Sequence, residues 1–240
     1  MKPFHDWTVL PHGALTQLDE GVLTVTGKMH MPPMGDVDRR MTIAKLADGG
    51  LVIYSAIALD EPQMKEIERL GRPAYLVVPS AIHRMDVKIW KDRFPAMKVV
   101  TPPGAREAVE KIVPVDATSI DFGDPRVRYL VVPGTAEREA ALLIDGPDGT
   151  TLVLNDLIFD LANRPGLTGW LFEKLGMTGE EPHMPGLIKM RLVKDERALA
   201  MALESWARLP ALKRIVISHG PVVCNDASGV LRRIAHDLAA

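Results

Sequence analysis

Cysteine is almost absent from this chain of 240 residues. Cys224 stands alone, so no disulfide can form within the chain, and a reducing compartment is its natural setting. Long apolar runs are missing too. None approaches the ~20 residues that a membrane-spanning helix needs, and the segment from Met1 to Trp7 lacks the apolar core of a secretion signal. A cytoplasmic protein with no membrane partner is expected. Neither sign of charge dominates: 29 basic residues stand against 31 acidic ones, the formal net charge is −2, and no long run of one sign occurs. A nucleic-acid partner is therefore not expected. Several catalytic signatures are lacking as well. There is no G-x-S-x-G elbow, G-x-G-x-x-G fingerprint, H-E-x-x-H or C-x-x-C, so the chemistries tied to those motifs have no support. No short repeat of the solenoid kind is visible.

What is present is ordinary globular composition, 47% hydrophobic and 25% charged, in a length that suits one large domain. The first part reads as hairpins. Ala14 to Leu18 and Val22 to Thr26 flank the turn Asp19-Glu20-Gly21, and Met41 to Leu46 and Leu51 to Tyr54 flank Asp48-Gly49-Gly50. Met29 to Arg40, rich in Met and Pro, reads as the loop between them. Strands and helices then alternate. Asp60 caps a helix that has Pro62 in its first turn, Met64, Ile67 and Leu70 at helical spacing, and Gly71 at its end. Tyr75 to Val78 and Lys98 to Thr101 read as strands, Val87 to Phe94 and Gly104 to Val113 as helices.

A second set of strands follows: Arg126 to Val132, then Ala140 to Ile144 and Thr151 to Leu154 around Gly146-Pro147-Asp148-Gly149. Lys194 to Leu209 reads as a helix with Leu199, Leu203 and Trp206 on one face, Arg214 to Ile217 as a strand, and Ser228 to Leu238 as a last helix capped from Asn225-Asp226. Each half thus has hairpin strands followed by strand–helix units. That order predicts one α/β domain over residues 1–240, with two mixed sheets packed face to face and helices outside. Residues 160–192 break the pattern. Pro165, Gly166, Gly176, Pro182 and Pro185 interrupt an apolar stretch holding Leu161, Leu167, Trp170 and Phe172. It is expected to be either a cap over a cleft or an oligomer contact, the latter in a homodimer.

Two segments place polar residues just past buried strands, where α/β folds assemble their sites. One is Thr151-Leu152-Val153-Leu154-Asn155-Asp156-Leu157-Ile158-Phe159, and the other ends in Ser218-His219-Gly220. Together with Pro133-Gly134-Thr135-Ala136 before Ala140 to Ile144, they resemble the second half of the metallo-β-lactamase superfamily. The resemblance implies a four-layer αββα sandwich. In that superfamily an aspartate in a "GD-L-F" turn bridges two metal ions and a late "GHG" histidine holds the second. These correspond to Asp156 and His219, with Asn155 in place of the glycine. The usual first ligand block, H-x-H-x-D-H, corresponds to Val78 to Asp86 and keeps only His83 as a histidine; a further loop histidine corresponds to Thr135. The chain thus looks closest to a divergent branch that lacks the usual ligand block, and a two-metal site cannot be assembled.

Zinc takes three or four N, O or S ligands. The expected set is His83, Asp156 and His219, holding one zinc, iron or manganese ion or none. Glu139 is a fourth ligand or base, and Glu137 and Asp86 are reserves. Such a site would serve hydrolysis of an unidentified ester, lactone, thioester or phosphoester, with Asp156 and Glu139 as the catalytic carboxylates. The alternative is a metal-free, non-catalytic descendant acting as a binding or scaffolding module, with Asp156 and His219 in contact with each other or with Arg84. Each residue also has a plain structural role open to it. His83 and His219 could bond backbone, Asp156 could cap a turn, and Glu139 could pair with Arg138 or Arg84. Cys224 is expected to be buried packing rather than a nucleophile.

Overall fold

A computed structural model describes residues 2–31, 35–161, 166–174, 176–179 and 181–239. The first sheet is laid down in chain order: β1 (Thr16–Asp19), β2 (Val22–Met31), β3 (Gly35–Lys45), β4 (Gly50–Tyr54), β5 (Arg72–Val77) and β6 (Lys98–Val100). The first four strands pair antiparallel with their chain neighbours, and β4, β5 and β6 run parallel. Parallel neighbours need crossovers, which α1 (Glu61–Leu70) and α2 (Val87–Arg93) supply. Asp60 caps α1 by accepting a bond from the Gln63 N–H.

A 3-10 turn at Pro103–Ala105 and α3 (Arg106–Glu110) lead to the second sheet. It comprises β7 (Val127–Val131), β8 (Ala140–Gly146), β9 (Gly149–Val153) and β10 (Leu212–Val216), ordered β10-β9-β8-β7. The β9–β10 pair is parallel. Its crossover carries α4 (Gly166–Lys174), α5 (Gly186–Leu192) and α6 (Glu196–Ala207), and α7 (Ala227–Ala239) follows β10. Asp226 accepts a bond from the Gly229 N–H at the start of α7.

The period of two along each strand sorts the core into three layers. Val52, Tyr54, Val77 and Val100 of the first sheet meet Tyr129, Leu142, Val153 and Val216 of the second. Their chain neighbours Leu51, Ile53, Leu76 and Val99 face Met64, Ile67, Ile89 and Trp90 of the first helical layer. On the far side, Leu143, Leu152 and Ile215 face Leu199, Leu203, Leu231 and Ile234. The order is helices, sheet, sheet, helices, as the αββα expectation requires. The Tyr54 hydroxyl ties the sheets by donating to the Ala140 carbonyl at 2.8 Å.

Three expectations are corrected. Met29 to Arg40 is no loop: β2 runs to Met31 and β3 begins at Gly35, registered Met29 to Val37 and Lys28 to Asp38. Lys28, His30 and Asp36 are exposed while Met29 and Val37 are buried. This is a clean strand alternation that the prolines obscured. The helix expected over Gly104 to Val113 is the shorter turn-plus-α3 unit. Cys224 is exposed rather than buried. In the 160–192 stretch, α4 and α5 leave Trp170 and Met190 largely exposed. Residues 162–165, 175 and 180, on which the cap-or-contact expectation partly falls, lie outside the described residues. Among the described residues no helix is long and apolar enough to cross a membrane.

Candidate metal centre

Each of three side chains sits a few residues past the carboxyl end of a strand. His83 follows β5, Asp156 follows β9 and His219 follows β10. The parallel β9–β10 pairing continues one step beyond the strands, where the Leu154 N–H donates to the Val216 carbonyl at 2.9 Å. Asp156 and His219, each three residues beyond its strand, therefore emerge side by side. Buried Asn155 holds the strand ends together: its Oδ1 accepts from the Ser218 hydroxyl at 2.7 Å, and its Nδ2 reaches the Ser80 hydroxyl at 3.4 Å. Because this side chain can donate and accept at once, a single residue ties both neighbouring segments.

The His219 loop is anchored from β3. Arg40, itself buried, donates from Nε to the Ile217 carbonyl at 2.9 Å and from Nη2 to the Gly220 carbonyl at 2.7 Å. Gly220 has φ +140°, and a Cβ there would lie 2.6 Å from the Asp160 carbonyl oxygen, so only glycine fits this turn. His83 is oriented by Ser55, whose Oγ lies 3.0 Å from His83 Nδ1. Ser55 itself has φ +55°, a left-handed conformation at which non-glycine residues are uncommon and that clusters at functional sites.

The three side chains converge. His83 Nε2 and His219 Nε2 both face the same oxygen, Asp156 Oδ1, at 3.0 and 3.1 Å. One ligand atom from each residue lies within 4.8 Å of the others. Asp156 Oδ2 is buried without a hydrogen-bond partner. Burial alone would raise the Asp156 carboxyl, but the two imidazoles override it and hold the group well below the usual carboxylate range.

The tautomer of His219 is decisive. Its Nδ1 lies 2.7 Å from the Asp38 backbone carbonyl, which can only accept, so Nδ1 carries the proton. In a neutral ring Nε2 then bears a lone pair, and that lone pair faces a carboxylate oxygen. Two acceptors at 3.1 Å repel unless a cation lies between them, either a second ring proton or a metal ion. His83 is under no such constraint, because Ser55 can donate to its Nδ1 while Nε2–H donates to Asp156. An Nδ1 held by a backbone carbonyl is the common second contact of metal-ligating histidines, and the donor set of two imidazoles and a carboxylate suits zinc.

Other expected residues are placed differently. Glu139 immediately precedes β8, fully buried, and lies outside the converging trio. It pairs with neither Arg138 nor Arg84; the Arg84 guanidinium donates to the Ala108 carbonyl instead. Neither Glu139 oxygen makes a hydrogen bond of normal geometry. Burial and the nearby negative charge of Asp156 push its carboxyl well above the usual range, although the Asn155 side chain and the Asp156 N–H favour the charged form. Asp86 is engaged elsewhere, in a buried ion pair with Arg39 and a 2.9 Å bond from the Ala58 N–H. Glu137 is exposed. Thr135 is buried and donates to the Val132 carbonyl. Sequence reasoning missed Asp38, Arg40 and Ser55. The adjacent Arg39 and Arg40 point to opposite faces of β3 and both are buried, but the stretch reads as a loop in the sequence and so gave no signal.

No protein-family model matches the sequence, and no curated protein matches it. Solved structures do. The chain is similar to the metallo-β-lactamase FIM-1 from Pseudomonas aeruginosa in its mono-zinc form, at 15% identity, TM-score 0.62, with 95% of this chain and 96% of that one covered. It is similar to a metallo-β-lactamase from Hirschia baltica, at 15% identity and TM-score 0.61 over 94% and 98% of the two chains. A third similar structure is a metallo-β-lactamase from Erythrobacter litoralis, at 15% identity and TM-score 0.61 over 93% and 96%. The architecture of this chain is that of the metallo-β-lactamase fold.

Proposed function

We propose that this chain is a divergent hydrolase that works with one divalent metal ion, zinc foremost, held by His83, Asp156 and His219. The observation that carries the reading is the His219 imidazole, fixed by the Asp38 carbonyl so that its Nε2 lone pair is aimed at the oxygen His83 also faces. The unpartnered Asp156 Oδ2 adds a second free donor atom. A similar structure solved in a mono-zinc form is a precedent for single occupancy of this fold. A metal bound there supplies Lewis-acid polarisation of a carbonyl or phosphoryl oxygen and makes water a better nucleophile. The chain's own residues do the rest. Asp38 holds His219 in its ligating tautomer, and Ser55 orients His83 and can accept from its Nδ1–H when Nε2 ligates. Asp156 stays ionised between them, and Glu139, buried nearby with its carboxyl pushed up, is the candidate acid or base for a substrate oxygen. An ester, lactone, thioester or phosphoester is the substrate class.

The second reading is a metal-free binding or scaffolding module. It draws support from the direct His219–Asp156 contact, which a doubly protonated His219 also satisfies. Elemental analysis of protein purified without chelators separates the two. The hydrolase reading expects about one zinc, iron or manganese per chain and loss of that metal in His219→Ala with the fold retained. Stoichiometric metal in His219→Ala, or none in the parent after incubation with zinc, would sink it.

A further inference from the structure

Beside the trio, on the Glu139 side, lies a cavity of about 310 Å3. Ser80, Ala81 and Ile82, from the loop that carries His83, form one wall; Ile188, Arg191 and Leu192 of α5 form another. Glu139 lines it, fully buried, with neither oxygen in a hydrogen bond of normal geometry and only the Asn155 side chain and the Asp156 N–H close by. Arg138 and Arg191 line it as exposed residues, and among the described residues neither lies in an ion pair. A buried polar group without a partner is costly, and two unpaired guanidinium groups flanking one cavity are a recurrent arrangement for binding a carboxylate or phosphate.

We propose that this cavity is a binding subsite for a small anionic molecule. Its carboxylate or phosphate head lies against Arg138 and Arg191, its apolar middle against Ile82, Ile188 and Leu192, and a hydroxyl or amide donor at its inner end meets Glu139. The last requirement holds whichever protonation state Glu139 adopts, because a carboxyl group accepts through at least one oxygen in both. A cavity of this size lies in the range of sites that take small molecules. As a statement of substrate class this rests on the hydrolase reading; as a binding site it stands alone.

The test is calorimetric titration of the intact chain with 6-hydroxyhexanoate, 6-hydroxyhexyl phosphate, hexanoate and hexane-1,6-diol, with zinc, iron and manganese content measured in parallel. The two hydroxylated anions are expected to bind at least tenfold more tightly than the diol and severalfold more tightly than hexanoate. The Arg138→Gln/Arg191→Gln double variant, altered only at exposed positions, is expected to lose at least tenfold of the anion affinity while its zinc content is unchanged. Whichever anion binds more tightly identifies the head group. Equal binding of the diol, equal binding of hexanoate, or an unaffected double variant overturns the subsite. Absence of zinc, iron and manganese, even after incubation with zinc, with anion binding intact overturns the hydrolase reading and leaves the subsite standing.

Discussion

Glu139 and Asp156 are neighbouring buried carboxyls pushed in opposite directions. Asp156 is held low because two imidazoles face it, while Glu139 is raised because burial and the Asp156 charge act on it with no full counter-ion. The difference has a consequence for stability. A group whose folded pKa is raised contributes stability that is fully present below its unfolded value, near 4.5 for Glu139, and lost as pH rises through the folded value. Chelator-treated protein should therefore lose stability as pH rises above about 4.5. Glu139→Gln, which mimics the neutral acid, should abolish that decline and be the more stable protein at pH 7. Urea unfolding from pH 4 to 8 reads this directly, and parallel curves for the two proteins would contradict it. The Asp156 contribution has the opposite sign and lies lower: it is present above the unfolded value of 3.8 and fades as pH falls below it, so the two windows do not overlap.

Elements were more legible than the contacts between them. The N-cap Asp60, the turn at Gly21 and the apolar face of α6 act within a few residues of themselves, so periodicity and turn chemistry fixed them. The β2–β3 hairpin was partly misread because its outer half is rich in residues that disfavour strands, and long-range pairing overrode that preference. The anchoring of β10 by β3 spans about 180 positions and left no local trace. Of the site, His83, Asp156 and His219 could be picked out by chemistry and position after strands. The groups that orient them could not, because two of those contacts use backbone carbonyls or a serine, which no motif marks. Arg40 shows what such an anchor contributes. Burial lowers its guanidinium pKa, and Asp38 nearby only partly compensates. Arg40→Met should orphan the Ile217 and Gly220 carbonyls at about 1–3 kcal/mol each. A drop of about 2–6 kcal/mol in urea unfolding is expected, with zinc held more weakly in competition against a chromophoric chelator. A change below 0.5 kcal/mol, the ordinary range for surface positions, would mean that the clamp does not act.

At the scale of the whole molecule, the chain is built in two consecutive blocks, β1–β6 with α1–α3 and then β7–β10 with α4–α7, each forming one sheet and its helical cover. The trio straddles that division. His83 comes from the first block, Asp156 and His219 from the second, and the His219 loop is gripped by Arg40 of the first. Cut in the stretch between α3 and β7, the chain would become two polypeptides that share one set of ligands. Zinc would then behave as a rivet between them: the two fragments should re-associate more tightly with zinc than with chelator, and the increment should vanish when the second carries His219→Ala. Metal availability would, on that view, set not only whether the site can act but how firmly the two halves of the protein stay joined.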